Sequence, residues 1–293
     1  MNVSTELDAT EYAIVIPAYN EADSLGAIIA RIHAAMPGAP VVVVDDGSTD
    51  GTGEAARAAG AQVLTHPYNK GNGAAVKTAL RALTAAKVII IDADGQHPPE
   101  MLPTLVHLAR THDLVVGART GDSAALRHRK LGNWLFCALA SFLSERDIPD
   151  VTSGFRVLDR QKALEFIHLY PNGFSFPTTS TLAFISAGYN VTFTPIVATL
   201  RPKETTSKIR PIRDGLRFVL MIVRISTMIN PLRIFVPTAL ITFFVGLVWT
   251  VRTLFETAQV SAAGAFLLGT GLNILFFGIV VDQLAALRLK NRD

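Results

Sequence analysis

The 293-residue chain predicts an α/β fold, a mostly parallel sheet with helices on both faces, followed by two apolar helices near its C-terminal end. Three observations predict it. Short, mostly β-branched runs alternate with helix-length segments through the N-terminal part. The loop after each run gathers polar residues. Two long stretches near the C-terminus contain no charge at all.

The strand signals fall at residues 13–17, 41–45, 61–64, 88–92 and 114–117, each a compact apolar run of strand length. Between them, residues 21–36, 52–59, 73–85 and 99–109 have helical length and start signals. Asp50 and Asn72 are the expected N-caps, and Pro98-Pro99 is a natural helix entrance. Strand and helix alternating in this way argue for parallel strands covered on both faces.

In such sheets ligands bind in the crevice outside the carboxyl ends of the strands. The polar loops are Tyr19-Asn20-Glu21, Asp45-Asp46-Gly47-Ser48, residues 66–71, and Asp92-Ala93-Asp94-Gly95-Gln96. Four consecutive strand ends decorated in this way predict one crevice. Aspartates two apart at a strand end suit a hard divalent cation, Mg²⁺ or Mn²⁺, which takes oxygen ligands and is held by one or two carboxylates plus substrate phosphates. His97 reads as part of the polar helix entrance in preference to a metal ligand, since histidine favours softer metals.

Composition excludes an ordinary water-soluble chain: 49% of residues are hydrophobic and 17% charged, with a mean hydropathy of +0.35. The excess lies in residues 234–251 and 257–281, neither with a charge. Each is long enough to cross a hydrocarbon core of roughly 30 Å. With residues 252–256 as a short link, the two spans form a hairpin. Arg233 before it, and Arg288, Lys290 and Arg292 after it, place both of its ends in the cytoplasm by the positive-inside rule. Small residues in the second span, Ala265 and Gly269 among them, permit a homo-oligomer. Residues 1–10 are polar and acidic, unlike a signal peptide, and the single cysteine, Cys137, reads as a small core residue. The expected organisation is a cytoplasmic α/β domain over residues 1–208, an interfacial amphipathic helix over 209–232, and the hairpin with its basic tail over 233–293.

That interfacial helix is read from charge. Residues 201–233 hold eight cations against Glu204 and Asp214, a surplus of six in a chain whose total is +3. On a helix, Arg210, Arg213, Arg217 and Arg224 fall within about 60° of one another. A basic stripe beside a membrane span suits anionic headgroups. No nucleic-acid partner is expected.

The ordered motifs resemble a known family. Val15-Ile16-Pro17-Ala18-Tyr19-Asn20-Glu21, Val44-Asp45-Asp46-Gly47-Ser48-Thr49-Asp50, Asn69-Lys70-Gly71, Asp92-Ala93-Asp94-Gly95-Gln96-His97-Pro98-Pro99-Glu100 and Thr152-Ser153-Gly154-Phe155-Arg156 are together similar to family 2 glycosyltransferases of the GT-A fold. Within that family they resemble the polyprenyl-phosphate glycosyltransferases, which include the dolichyl-phosphate mannose synthases. The resemblance implies that Pro17, Tyr19, Glu21, Asp46 and Lys70 bind the nucleotide-sugar donor. It implies that Asp92, Asp94 and Gln96 hold Mg²⁺ or Mn²⁺ on the donor diphosphate, and that Arg119, Arg129 and Lys208, with Arg201, grip the phosphate of a polyprenyl acceptor.

The implied reaction is an inverting transfer of a hexose from a UDP- or GDP-linked donor to a polyprenyl or dolichyl monophosphate. Metal-assisted stabilisation of the leaving diphosphate would supply the electrophile, with Asp94 in the catalytic centre. Asp150 is the candidate to orient the acceptor or act as a base, or else to cap a turn after Pro149. A processive polysaccharide synthase would need more spans and a Gln-x-x-Arg-Trp motif, whereas neither Trp134 nor Trp249 follows an arginine. A non-catalytic lipid-binding scaffold would not need the intact Asp92, Asp94 and Gln96 cluster. A nucleotidyltransferase would gain little from a hairpin.

Overall fold

The computed structural model describes residues 11–119, 136–142, 144–173, 175–197, 231–259 and 261–290. Arg129, Arg201, Lys208 and the amphipathic stretch 209–230 lie outside these residues, as do the expectations attached to them. The chain divides into two compact units, one of Met1–Ser141 with Arg146–Phe218, the other of Phe142–Glu145 with Val219–Asp293.

The first unit runs β1 (Tyr12–Ala18), α1 (Ala22–Ala35), β2 (Val41–Asp45), α2 (Thr52–Ala58), β3 (Gln62–Thr65), α3 (Asn72–Ala82) and β4 (Lys87–Ile90). A 3₁₀ turn (Pro99–Met101) leads into α4 (Leu102–Ala109) and β5 (Leu114–Arg119). After them come β6 (Arg156–Asp159), α5 (Arg160–Glu165), α6 (Phe176–Ser186) and β7 (Val191–Ile196). One seven-stranded sheet results, in the order β3-β2-β1-β4-β6-β5-β7. All its strands are parallel except β6, which pairs antiparallel with both β4 and β5.

Alternation of side chains along each strand builds two cores. Ile14, Ile16, Val41, Val43 and Ile89 pack with α1, α2 and α4 on one face. Val15, Val44, Val88 and Ile90 pack with α3, α5 and α6 on the other. Strands buried on both sides read as continuous apolar runs, as Val41–Asp45 does.

Several boundaries differ from the sequence reading. The fourth strand stops at Ile90, so Asp92 lies in the loop beyond it. Gly51 and Gly71 occupy the N-cap positions of α2 and α3, with Asn72 the first residue of its helix. Asp50 instead accepts from the N–H of Thr52 at 3.0 Å and of Ala22 at 3.1 Å, tying together the starts of α1 and α2. The strands β6 and β7 escape the periodicity: β6 is four residues bounded by Arg156 and Asp159, and β7 contains Pro195. Proline is tolerated there because β7 is the edge strand.

In the second unit α7 (Leu232–Thr257) and α8 (Ala262–Lys290) pack against each other. The most apolar stretch of each has a mean hydropathy of 2.1, and only 11% and 17% of those stretches are buried, unlike the core helices of a soluble protein. The first helix extends through the expected link. Arg252 and Glu256 therefore lie on it as an i,i+4 ion pair of 2.8 Å, the first helix ending at Thr257 and the second beginning at Ala262.

The helix–helix seam is made by Gly246, Gly264, Gly271 and Gly278. A Cβ on Gly271 would lie 2.9 Å from the Phe243 backbone nitrogen, and one on Gly246 2.8 Å from that of Leu268. Without a solvent-driven hydrophobic effect in lipid, such close backbone approach is what holds helices together. Gly269 faces open space. Gly271→Leu is therefore expected to speed amide hydrogen exchange around Phe243 in the detergent-solubilised protein, while Gly269→Leu leaves it unchanged; equal effects would contradict this seam.

Candidate active site

Because β6 runs against its neighbours, its first residue, Arg156, shares a sheet edge with the carboxyl ends of the parallel strands. The strand order reverses at β1, which has β2 on one side and β4 on the other. Crevices at such switch points are where open α/β sheets bind ligands. The first turn of α1 meets the loop after β4 there, the Ser24 hydroxyl donating to the Ala93 carbonyl at 2.8 Å.

One half of the crevice is built from the first three loops. Asn20 adopts a left-handed conformation, φ 55°. Its side-chain oxygen accepts from Thr49 N–H at 3.0 Å, and its own N–H donates to the Ser48 hydroxyl at 2.9 Å. Gly47, at φ 75°, has the Tyr68 carbonyl carbon 2.5 Å from where a Cβ would stand, so no other residue fits this turn. Asp46 is 3% exposed. Its Oδ1 accepts from Lys70 N–H at 2.9 Å and lies 2.6 Å from His66 Nδ1, and its Oδ2 accepts from Gly71 N–H at 2.7 Å. On its far side His66 meets the Thr78 hydroxyl at 2.8 Å. Asp46 thus spends its carboxylate on holding the Lys70 loop. Pro17 is buried in β1 opposite Val44, Glu21 is half-buried with its carboxylate accepting from Ser24 Oγ at 3.1 Å, and Tyr19 is 44% exposed. The Lys70 ammonium lies 5.5 Å from the centroid of the exposed Tyr68 ring.

The other half centres on Asp92. Its N–H donates to His97 Nδ1 at 3.3 Å, and His97, nearly buried, stacks on Phe155 with ring centroids 5.3 Å apart. A Cβ on Gly154 would overlap the Asp92 carboxylate. About a third of the Asp92 side chain, 32%, stays open to the crevice. Burial of the rest pushes its carboxyl above the ordinary range; Asp94 adds in the same direction, while His97, Arg119 and Arg156 pull the other way. Asp94 accepts from Gln96 N–H at 3.1 Å. Among the described residues no three His, Cys, Asp or Glu side chains gather as a metal cage. Two carboxylates beside an open crevice instead suit a hard cation that brings its remaining oxygens with a phosphate ligand.

Asp150 and Arg119 close this half. Arg119 ends β5, and its Nε and Nη2 donate to the two oxygens of Asp150 at 2.7 and 3.1 Å, a bidentate fork. Asp150 is 1% exposed and also accepts from the N–H groups of Arg119 and Thr152 and from the Thr152 hydroxyl. Burial alone would raise its carboxyl, but the Arg119 bonds and charge, helped by Thr152 N–H, hold it below the ordinary carboxylate range. Asp150 thus caps the turn after Pro149, and the same carboxylate orients Arg119. Sequence reasoning placed His66, Gly154 and Phe155 in its loops and motifs but gave them no individual role, since their roles are contacts across the fold. Helix α6 was missed, although Phe176-Pro177 is a helix-start signal.

Comparison with known proteins agrees with this fold. The family model Glycosyl transferase family 2 matches residues 13–166, and the model GtrB C-terminal hairpin matches residues 230–287. The Glycosyltransferase AglJ of Haloferax volcanii is 31% identical over 289 residues, covering 94% of this chain and 93% of the relative. A dolichyl-phosphate hexose transferase of the same organism is 33% identical over 214 residues, 72% of this chain and 92% of the relative. An undecaprenyl-phosphate mannosyltransferase of Micrococcus luteus is 31% identical over 62% of this chain and 81% of its own length. The crystal structure of glucosyl-3-phosphoglycerate synthase from Mycobacterium tuberculosis with Mn²⁺, UDP and glucosyl-3-phosphoglycerate superposes with a TM-score of 0.58. At 22% identity, covering 74% of this chain and 80% of that one, it shares the fold.

The Asp150 environment has a consequence for stability. A carboxylate whose folded pKa is depressed contributes stability in full above its unfolded value and loses it as pH falls through the folded one. Asp150→Asn is expected to melt below wild type at pH 7, the gap closing as the pH drops below the ordinary range of an aspartate carboxyl. A gap that persists undiminished in acid would contradict the assignment.

Proposed function

Because this chain belongs to glycosyl transferase family 2, and carries that family's fold with an apolar C-terminal hairpin, we propose that it transfers a hexose from a nucleoside-diphosphate sugar to a membrane-borne polyprenyl or dolichyl monophosphate, with inversion. The observation that carries this reading is the convergence, in one crevice, of Asp92 and Asp94 with Arg119, which feels the charge of both. One group of side chains favours a cation on a diphosphate; the other favours a second, incoming phosphate. The names of the relatives, transferases acting on dolichyl and undecaprenyl phosphates, support the acceptor class.

Asp92 and Asp94, with the Gln96 amide, are the groups to hold Mg²⁺ or Mn²⁺. The donor set fits: the oxygens are hard, Asp92 opens to the crevice, and the glycine at 154 leaves its carboxylate against bare backbone. When bound, such a cation offsets the negative charge that grows on a departing diphosphate. Tyr19, Glu21 and the Lys70 loop would seat base and ribose, with Pro17 shaping the floor and Asp46 acting through the loop it pins. Arg119 would hold the acceptor phosphate by its exposed side.

No strong base is needed. A phosphate monoester has its second pKa near about 6, so the acceptor is already largely dianionic at neutral pH. Asp150, saturated with hydrogen bonds and held ionised, therefore serves to aim Arg119. Alignment of the attacking oxygen and electrostatic stabilisation of the leaving group supply most of the acceleration. The hairpin would keep the enzyme at the bilayer, and its flanking cations favour cytoplasmic ends.

The direct test is to incubate membranes containing the protein with a panel of radiolabelled UDP- and GDP-sugars, extract into organic solvent and count. Label in the lipid phase from one donor is expected, abolished by chelator. Asp94→Asn should fold normally and lose at least about a hundredfold in rate; normal turnover by that variant with Mg²⁺ or Mn²⁺ would contradict the assignment.

A further inference from the structure

Arg156 is among the largest fully buried side chains of the molecule, at 0% exposure. Its Nη1 donates to the Pro177 carbonyl at 2.8 Å, to Ser180 Oγ at 2.7 Å and to Thr181 Oγ1 at 3.2 Å, and its Nη2 donates to the Ser153 carbonyl. All four acceptors are neutral, and Nε is buried without a partner. An isolated guanidinium in a protein interior is costly, and a well-packed apolar side chain of the same volume avoids that cost. Its presence here asks for a role other than packing.

Position supplies one. The Thr152–Arg156 segment is fixed at consecutive residues. Thr152 binds Arg119 and Asp150, and the Ser153 hydroxyl donates to the Gly117 carbonyl at 2.6 Å. Phe155 stacks on His97, which in turn accepts from the Asp92 N–H. Between those two anchors Gly154 presents bare backbone to the Asp92 carboxylate, so closely that any side chain there would displace it. The Ser153 carbonyl, one peptide away from that wall, is held from below by Arg156 alone among the described hydrogen bonds.

We propose that Arg156 is a positioning residue of the cation site: clamped by α6, its guanidinium fixes the Ser153-Gly154 backbone as the wall that sets where the Asp92 carboxylate stands. This rests on the reading of Asp92 as a ligand of the donor's cation. The charge contributes in the same sense. Burial lowers the Arg156 pKa to about 10, which leaves it protonated at neutral pH, and Asp150 and Asp92 are the carboxylates that its charge stabilises. Outer partners that orient metal ligands influence metal affinity about ten- to a hundredfold.

The experiment measures Mn²⁺ binding by electron paramagnetic resonance on the full-length detergent-solubilised protein with UDP, alongside thermal melting and transfer. Arg156→Lys keeps the charge and loses the planar fork. The double variant Ser180→Ala, Thr181→Val keeps the arginine and removes two of the groups that clamp it. Each is expected to weaken Mn²⁺ by about tenfold or more, with transfer restored by raising Mn²⁺ and the donor KM unchanged once Mn²⁺ saturates. Gly154→Ala, acting on Asp92 directly, should reproduce that pattern. A folded Arg156→Lys with wild-type Mn²⁺ affinity overturns the inference. Should that variant not fold, wild-type affinity in the double variant overturns it. If wild-type protein itself binds no Mn²⁺, the reading of Asp92 fails, and the inference with it.

Discussion

Charges withdrawn from water along one edge of the sheet govern the arrangement of this molecule. Asp46, Asp150 and Arg156 are almost wholly buried, and Asp92 is open only on its crevice side. A buried ionised group must be met by hydrogen bonds or an opposite charge, because leaving it unmet is far more costly than the bonds are individually worth. Each of these residues therefore recruits the chain around it. Asp46 draws in the backbone N–H groups of Lys70 and Gly71, Asp150 takes both sides of the Arg119 fork, and Arg156 gathers carbonyls and hydroxyls from α6. The loops at this edge are ordered by those demands.

Antiparallel β6 makes that recruitment effective. Were it parallel like its neighbours, the residues preceding it would lie at the opposite edge. Reversed, it brings residues 150–155 beside the ends of β4 and β5, with Gly154 against Asp92 and Asp150 under Arg119. The crevice consequently has two halves of different origin. The first comes from successive parallel loops, the second from the insertion of a single reversed strand. A donor with a nucleotide and a diphosphate suits the first half and its boundary, and an incoming phosphate suits the arginine of the second.

Much of this was legible in the sequence, for identifiable reasons. The runs at 41–45 and 114–117 are strands because continuous β-branched residues fit a sheet buried on both faces. The Asp92 to Gln96 loop was legible because acidic and amide side chains gather immediately after an apolar run. The strand β6 was not, since four residues with charged ends carry no period, and β7 hid behind Pro195. The hairpin seam was not legible: Gly269 faces away from α7 while Gly271 and Gly278 face it, a difference of rotation around a helix that composition does not encode.

By itself the sequence determined the alternation of strands and helices, the polar loops at the strand ends and the two charge-free spans. Each of these is written in contiguous residues as a period, a length or an absence of charge. Only the tertiary structure decided that Asp150 belongs to Arg119, that Gly154 abuts Asp92, and that Asp46 serves the Lys70 loop, with His66 binding it to α3. Those partners are separated along the chain by tens of residues. No local pattern specifies which buried charge meets which donor; that depends on the order and direction of strands in the sheet.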